Sequence, residues 1–404
     1  LALKPDLTTA YNNLGNVLQD LGQQEEAIVC YRKAISIRPD YAQALYNLGV
    51  VLHQSGALVE AVESYQRALT IKPNFFKAHM NLGNIYLQLT RHEDAIASCR
   101  NALELEPDSA ETYINLGNVF RDLCRWEEAL SCYHEALGLK PTFAEAHYNR
   151  GVTFQKWGKI EEAMDAYRNA IRVKSDFFEA HSALGLNLWR MNKFKEAKYS
   201  FGKALALNPD HANTHNNLGL ALQGLGILDE AISSYENALR VEPDLAEAHN
   251  NLGLALQDLC KLDDAVRRYQ KAASIKPDYS AAYSNLLMAE QYRPSQDAET
   301  LYKLHCKWDQ YYGRAFHADW PKHVNTPDPD RRLRVGLLSA DFRRHPVGYF
   351  LVGFLKHLPT EAIERIIYCD NTPDDLTEEI KEGSDKWCYV GNVPNSDLAS
   401  AIFG

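Results

Sequence analysis

Pro5, Pro39, Pro73, Pro107, Pro141, Pro209, Pro243 and Pro277 stand on one 34-residue grid, with Ser175 at the vacant point. Such a period restricts two thirds of the chain to a repeat architecture, because each unit can bury its apolar face only against its neighbours. Other rows share the grid: Gly15, Gly49, Gly83, Gly117, Gly151, Gly185, Gly219 and Gly253; Ala27, Ala61, Ala95, Ala129, Ala163, Ala197, Ala231 and Ala265; and Ala34, Ala68, Ala102, Ala136, Ala170, Ala204, Ala238 and Ala272. A glycine inside a helix costs roughly 1 kcal/mol against alanine, so its recurrence predicts two helices meeting where only a small residue fits. Tyr31, Tyr65, Tyr133, Tyr167, Phe201, Tyr235 and Tyr269 are the expected knobs, with Cys99 at the same place.

Helix-end signals follow the same register. Capping boxes are expected at Asp40 with Gln43, Asp108 with Glu111, Thr142 with Glu145, Asp176 with Glu179 and Asp244 with Glu247. Acids at Glu26, Glu60, Asp94, Glu128, Glu162, Glu196, Glu230 and Asp264 suit the positive end of each second helix, a structural role. Gly22, Gly56, Gly158, Gly226 and Asn192 suit left-handed turns between helices. The combined pattern resembles the tetratricopeptide repeat. It predicts a mostly α fold, a right-handed superhelical solenoid with eight full units over 8–279, partial units at both ends and a solenoid domain of 1–290.

The chain has 404 residues, 46% of them hydrophobic, and a net charge of -10. That balance argues against nucleic acid or anionic lipid and for protein partners, and no apolar run is long enough to span a bilayer. Eight cysteines without a CxxC pair read as reduced thiols, and so as a cytoplasmic or nuclear protein. Leu1-Ala2-Leu3-Lys4-Pro5-Asp6 matches Leu205 to Asp210, the end of a second helix, so further repeats are expected before residue 1.

One row carries a candidate function. Asn13, Asn47, Asn81, Asn115, Asn149, Asn217, Asn251 and Asn285 share a place in the first helices, with Ala183 the exception. First helices line the inner side of a curved solenoid, and an asparagine amide offers both a donor and an acceptor. A file of them can hold an extended client by its main chain. The alternative is that these amides serve helix packing or local hydrogen bonding. His79, His147, His181, His215 and His249 form a second file, at a position shared with Tyr11, Leu45, Tyr113 and Tyr283. Packing is the expected role there, since histidines one repeat apart are too distant to share a metal.

After Tyr283 and Asn285 the grid fails: Leu287 replaces glycine and Pro294 interrupts. Leu301, Leu304, Trp308 and Tyr311 predict one amphipathic helix over about 295–316, a cap on the solenoid. The region 291–330 is thus a helical cap and linker, and Asp328-Pro329-Asp330 within it reads as a turn, not a metal site.

Residues 331–404 change character. Leu333 to Ser339 reads as a buried strand, Gly348 to Leu358 as a helix, Arg365 to Cys369 and Trp387 to Val390 as further strands, with a helix near Leu376 to Lys381 between them and another capped by Ser396 or Asp397. This is a βαβαβ nucleus, the start of a parallel sheet whose ligands bind beyond the strand carboxyl ends. The first such end carries Asp341, Arg343, Arg344 and His345.

The stretch from Arg334 through Asp341-Phe342 and His345-Pro346 to Phe350, directly behind a tetratricopeptide array and a short cap, resembles the nucleocytoplasmic O-GlcNAc transferase family. That family includes bacterial homologues and SPINDLY-type O-fucosyltransferases. The resemblance implies a GT-B type catalytic region of two Rossmann-like lobes, of which 331–404 would be the truncated beginning of the first. It implies inverting transfer of GlcNAc from UDP-GlcNAc to Ser or Thr hydroxyls without a catalytic metal, and places His345 at the active site as base or acceptor-positioning group. Tyr349-Phe350 looks more like the bacterial or SPINDLY-type members, which makes GDP-fucose the alternative donor. On this reading the asparagine file feeds an extended client toward His345, most of the donor site lies beyond residue 404, and the chain by itself is expected to be inactive. A homodimer through the solenoid is compatible with the resemblance. The competing reading is a non-enzymatic tetratricopeptide adaptor; a carboxylate-clamp variant would need Lys and Arg clustered in the groove.

Overall fold

The computed structural model describes residues 5–293, 297–314, 332–358, 361–370, 373–391 and 393. Expectations at Pro294, in the Pro321 to Pro329 linker with Asp328 and Asp330, and for a helix capped by Ser396 or Asp397 lie outside the described residues. The chain forms two compact units, Leu1–Trp308 and Asp309–Gly404.

In the first unit helices come in pairs: α1 (Pro5–Asp20) with α2 (Gln24–Ile37), α3 (Ala42–Gln54) with α4 (Leu58–Ile71), α5 (Phe76–Gln88) with α6 (His92–Leu105), and α7 (Ala110–Asp122) with α8 (Trp126–Leu139). The series continues with α9 (Ala144–Lys156) and α10 (Ile160–Val173), α11 (Phe178–Arg190) and α12 (Phe194–Leu207), α13 (Ala212–Gly224) and α14 (Leu228–Val241), and α15 (Ala246–Asp258) and α16 (Leu262–Ile275). It closes with α17 (Ser280–Gln291) and α18 (Ala298–Trp308).

Within each pair the glycine and aromatic rows meet as the spacing requires. A Cβ on Gly253 would lie 2.6 Å from the Tyr269 ring, and one on Gly83 would lie 2.5 Å from Cys99 Sγ. The knobs Tyr31, Tyr65, Tyr133, Phe201, Tyr235 and Tyr269 are fully buried. Their hydroxyls are still satisfied: Tyr133 donates to Asn118 Oδ1 at 2.8 Å, Tyr235 to Gln223 Oε1 at 2.9 Å and Tyr269 to Gln257 Oε1 at 3.1 Å. Burial is the leading reason the Tyr133 hydroxyl is pushed up to about 12.

The connecting turns use the left-handed region at Gly22, Gly56, Gly158, Gly226 and Asn192, as expected, and also at Thr90, Cys124 and Cys260. The capping boxes do not form. Helices α3, α9, α11 and α15 have Tyr41, Phe143, Phe177 and Leu245 at the N-cap, none with a side-chain cap, and α7 is capped by Ser109 in place of Asp108. The residues after each proline are used in a tight turn, in which Tyr41 N–H donates to Arg38 O at 3.2 Å and Phe143 N–H to Lys140 O at 3.0 Å. The polar residue therefore stands one position too early to reach the first turn, and an apolar residue anchors the helix start.

Every second helix packs on the first helix of the following unit. First helices also touch one another, from α1 with α3 to α15 with α17, this contact thinning between α9 and α11; second helices do not approach each other as closely among the described residues. A stack that converges on one side and parts on the other is curved, with the first helices inside. At the end of the unit the expected 295–316 helix is shorter. Leu301, Leu304 and Trp308 form a half-buried stripe on α18, which packs against α17, and a π-turn at Asp309–Gly313 follows.

The second unit contains β1 (Leu333–Ser339), α19 (Pro346–His357), β2 (Ile363–Cys369), α20 (Asp375–Glu382) and β3 (Lys386–Tyr389). The sheet is parallel in the order β1-β2-β3, with Leu337 beside Ile367 and Cys369 beside Tyr389. Phe342, Leu351, Leu355, Ile367, Leu376 and Ile380 form its core. Here β1 departs from expectation: it alternates between exposed and half-buried because it is the sheet's edge, while Ile366 to Cys369 of the central β2 are buried on both faces. The reversal of strand order that marks a doubly wound sheet is not found among the described residues.

Candidate functional site

The asparagine file lies on the inner helices, and the structure divides it. Asn47 Nδ2 donates to Asn12 Oδ1 at 3.0 Å and to Asn16 Oδ1 at 2.9 Å; Asn251 donates to Asn216 Oδ1 and Asn285 to Asn250 Oδ1, each at 2.9 Å. Asn81 donates to the hydroxyl of Tyr65 at 3.1 Å, and Asn149 Oδ1 accepts from Arg121 at 3.5 Å. These bonds tie one repeat to the one before it. Asn13, Asn115 and Asn217 make no side-chain hydrogen bond among the described residues; Asn13 is exposed and the other two are half-buried. Packing and an open amide thus coexist in one row. For part of the row the signal was available in sequence 35 residues earlier, where Asn12, Asn216 and Asn250 supply acceptors to Asn47, Asn251 and Asn285 while Met80 offers none to Asn115; the bond of Asn149 to Arg121 and the open amide of Asn217 had no such signal.

The histidine file is structural. Nε2 of His79, His147, His181, His215 and His249 lies 2.8–3.2 Å from the carbonyl oxygen six residues earlier, that of Pro73, Pro141, Ser175, Pro209 and Pro243 respectively. A carbonyl only accepts, so each Nε2 carries the proton and pins the first helix to the preceding turn. Desolvation is the leading cause that lowers the pKa of His147 and His249, whose buried Nδ1 atoms have no partner.

At the carboxyl end of β1 the loop is held from α20. Thr377 Oγ1 donates to Phe342 O at 2.7 Å, Arg344 N–H donates to Asp374 Oδ2 at 2.6 Å, and Asp374 caps α20 through Thr377 N–H at 2.9 Å. The Arg344 guanidinium is paired with Asp375, Nε to Oδ1 at 2.7 Å, and that hydrogen bond is the main cause holding the Asp375 carboxyl below its usual range. Gly348 is required by close approach, since a Cβ there would run into the Arg343 carbonyl. Phe342 is buried in the core, and Arg343 is exposed.

His345 is the N-cap of α19. Its Nδ1 accepts from Val347 N–H at 3.3 Å, which assigns the proton of the neutral ring to Nε2. Asp341 Oδ2 stands 3.9 Å from the same Nδ1, beyond hydrogen-bond reach. Of the four loop residues singled out in the sequence, the fold therefore brings Asp341 and His345 to one place and turns Arg344 toward α20. The contribution of Asp374, Asp375 and Thr377 was not legible, because it depends on a helix thirty residues away.

Family models described as TPR repeat or tetratricopeptide repeat match residues 15–56, 51–90, 188–226 and 225–259, residues 75–142, residues 144–177 and residues 246–279, together more than half of the chain. No curated protein matches the sequence. Similar solved structures include YrrB, described as a TPR protein with an unusual peptide-binding site, at 27% identity over 47% of this chain and 98% of that one, with a TM-score of 0.43. MamA matches at 25% identity over 40% of this chain and 95% of its own, with a TM-score of 0.39. PilF of Pseudomonas aeruginosa matches at 23% identity over 52% of this chain and 95% of its own, with a TM-score of 0.46.

Proposed function

The chain belongs to the tetratricopeptide-repeat family, and on that premise we propose a client-binding arm joined to the opening strands of a protein O-glycosyltransferase. The repeats suit a protein-binding scaffold. Clients would be held as extended segments along the inner helices, chiefly by the uncommitted amides of Asn13, Asn115 and Asn217. Each main-chain hydrogen bond contributes about 1 kcal/mol net, so affinity would rest on several engaging one client.

The transferase reading is supported chiefly by one observation, the capping bond at His345, which leaves its Nε2–H as a donor at the carboxyl end of a parallel strand. In that state the ring suits orienting an acceptor oxygen better than removing its proton. The reaction joins the hydroxyl oxygen to the anomeric carbon while the bond from that carbon to the nucleotide phosphate breaks. The preferred donor is UDP-GlcNAc, with GDP-fucose second, and the proposed setting is cytoplasmic or nuclear.

The test is radiolabelled sugar transfer to a Ser/Thr-containing protein by the longer polypeptide that carries these residues. His345→Ala should lower turnover steeply while the helical circular dichroism is unchanged; wild-type turnover by that variant removes His345 from the mechanism. A second reading, a non-enzymatic adaptor, is favoured by the 3.9 Å gap between Asp341 and His345, because a catalytic imidazole is usually oriented by a closer partner. Failure to bind either UDP-GlcNAc or GDP-fucose would select it.

A further inference from the structure

One row of the repeat lattice is broken by a charge. Leu14, Leu48, Leu82, Leu116, Leu184, Leu218, Leu252 and Leu286 occupy the place before the small-residue position of each first helix, and Arg150 occupies it in α9. Where a leucine of this row lines a hollow, the hollow lies between successive second helices. Leu48 shares one of about 300 Å³ with Arg32, Ile35 and Glu60, and Leu252 shares one of about 660 Å³ with His249, Ile232, Glu236 and Arg268. By repeat equivalence the Arg150 side chain enters the groove between α8 and α10. It leaves the helix about 100° from Asn149, so it does not belong to the asparagine file.

Among the described residues Arg150 has no counter-ion there. Its Nε is buried without a hydrogen-bond partner, as is Nδ1 of His147 one turn earlier on the same helix. Asp165 of α10, at the place where Glu63 lines the first hollow, is paired with Arg168 at 3.0 Å. Desolvation alone lowers the Arg150 pKa, and Arg150 in turn helps to lower that of His147. Glu162 of α10, equivalent to Glu60 and Asp264 in the two hollows, borders the same groove but makes no ion pair with Arg150 among the described residues. A guanidinium placed in an apolar row without a carboxylate in contact is costly to the fold, whereas leucine would suit the site as it does in eight equivalent positions.

We propose that Arg150 is a recognition site for a carboxylate, the acidic side chain of a protein partner docked across the groove between α8 and α10. A carboxylate accepts from Nε and a terminal guanidinium nitrogen together, which would satisfy the buried Nε–H and neutralise the charge. A neutral His147 has only an acceptor at Nδ1, its Nε2–H being held by Pro141 O, so it gives a carboxylate no hydrogen bond and recognition rests on the guanidinium of Arg150. This site is independent of sugar transfer and stands whether or not His345 is catalytic.

The test uses the whole 404-residue chain, with the Arg150 Nε–Hε resonance followed by NMR during titration with sodium acetate, sodium chloride or sodium sulfate. Saturable shifts with acetate and none with chloride at equal ionic strength are expected, with acetate affinity at least about tenfold weaker in Arg150→Gln, read from a neighbouring α9 amide. Arg150→Leu should raise Tm in the absence of anion and abolish the extra stabilisation by acetate. Equal responses to acetate and chloride overturn the proposal, and binding of sulfate without acetate overturns it in favour of a phosphate-bearing partner. A fall in Tm of Arg150→Leu would show instead that the guanidinium supports the fold.

Discussion

The imidazole Nε2–H of His249 donates to the main-chain carbonyl of Pro243 at 3.0 Å, tying the start of α15 to the turn before it. The same bond recurs at each histidine of the file, so the structural role expected of these rings takes the form of a tie between the first helix and the preceding turn.

Acid should therefore loosen the repeats. The folded-state pKa values of His147 and His249 lie below the ordinary 6.5, chiefly through desolvation. The unfolded chain binds more protons below that value, so the stability they contribute is full above about pH 6.5 and is lost as pH falls toward the folded-state values. Thermal melts between pH 7.5 and pH 5 should show a shallower decline for His147→Gln with His249→Gln than for the native chain; parallel declines would rule these rings out as the cause.

The glycine row should separate packing from propensity. A Cβ on Gly219 would lie 2.5 Å from the Tyr235 ring, whereas one on Gly138, inside α8, would meet nothing within 4 Å. Gly219→Ala should destabilise by about 1–3 kcal/mol and Gly138→Ala should stabilise by up to about 1 kcal/mol. Urea unfolding of the two variants measures the contrast, and effects of the same sign would contradict the close-approach account.

Asn81 and Asn115 occupy equivalent places with different partners. Asn81→Ala removes a hydrogen bond to the buried Tyr65 and should cost about 1 kcal/mol of stability, while Asn115→Ala should stay within about 0.5 kcal/mol. Asn115→Ala should nonetheless weaken binding of a permanently unfolded protein, measured by calorimetry. Native affinity in that variant would remove this amide from client binding.

Asp385 accepts from the Arg365 side chain at 2.9 Å and from Arg365 N–H at 2.7 Å, which, side-chain bond first, hold its carboxyl at about 2. Its pKa is lowered on folding, so its contribution is present above the ordinary value of 3.8 and is lost as pH falls through about 2. Amide exchange at β2 and β3 should accelerate over that window in the native chain and show no such step in Asp385→Asn.

The solenoid was readable because its rules are local and repeated: glycine faces an aromatic ring at a constant interval in every full unit but the one where Gly83 faces Cys99, and left-handed turns recur at their own interval. The capping boxes were misread for a local reason too, since a proline-led turn takes up the residue that would have capped. Asp374 and Thr377 were invisible as supports of the His345 loop because nothing near that loop in sequence names them. The break at Arg150 was visible in the lattice, but its lack of a counter-ion was not.

By itself the sequence determined the period, the helix pairs, the glycine and aromatic contacts and the alternation of three strands with two helices after the solenoid, all consequences of side-chain size and spacing along one chain. The tertiary structure alone decided which asparagines donate to a neighbouring repeat and which remain open, that each histidine of the file is tied to a carbonyl, and that Arg344 is paired with Asp375 while Arg150 has no ion pair among the described residues. The reason is physical: hydrogen bonds and ion pairs require atoms within about 3–4 Å in a fixed orientation, and only the folded chain sets which distant groups meet that condition.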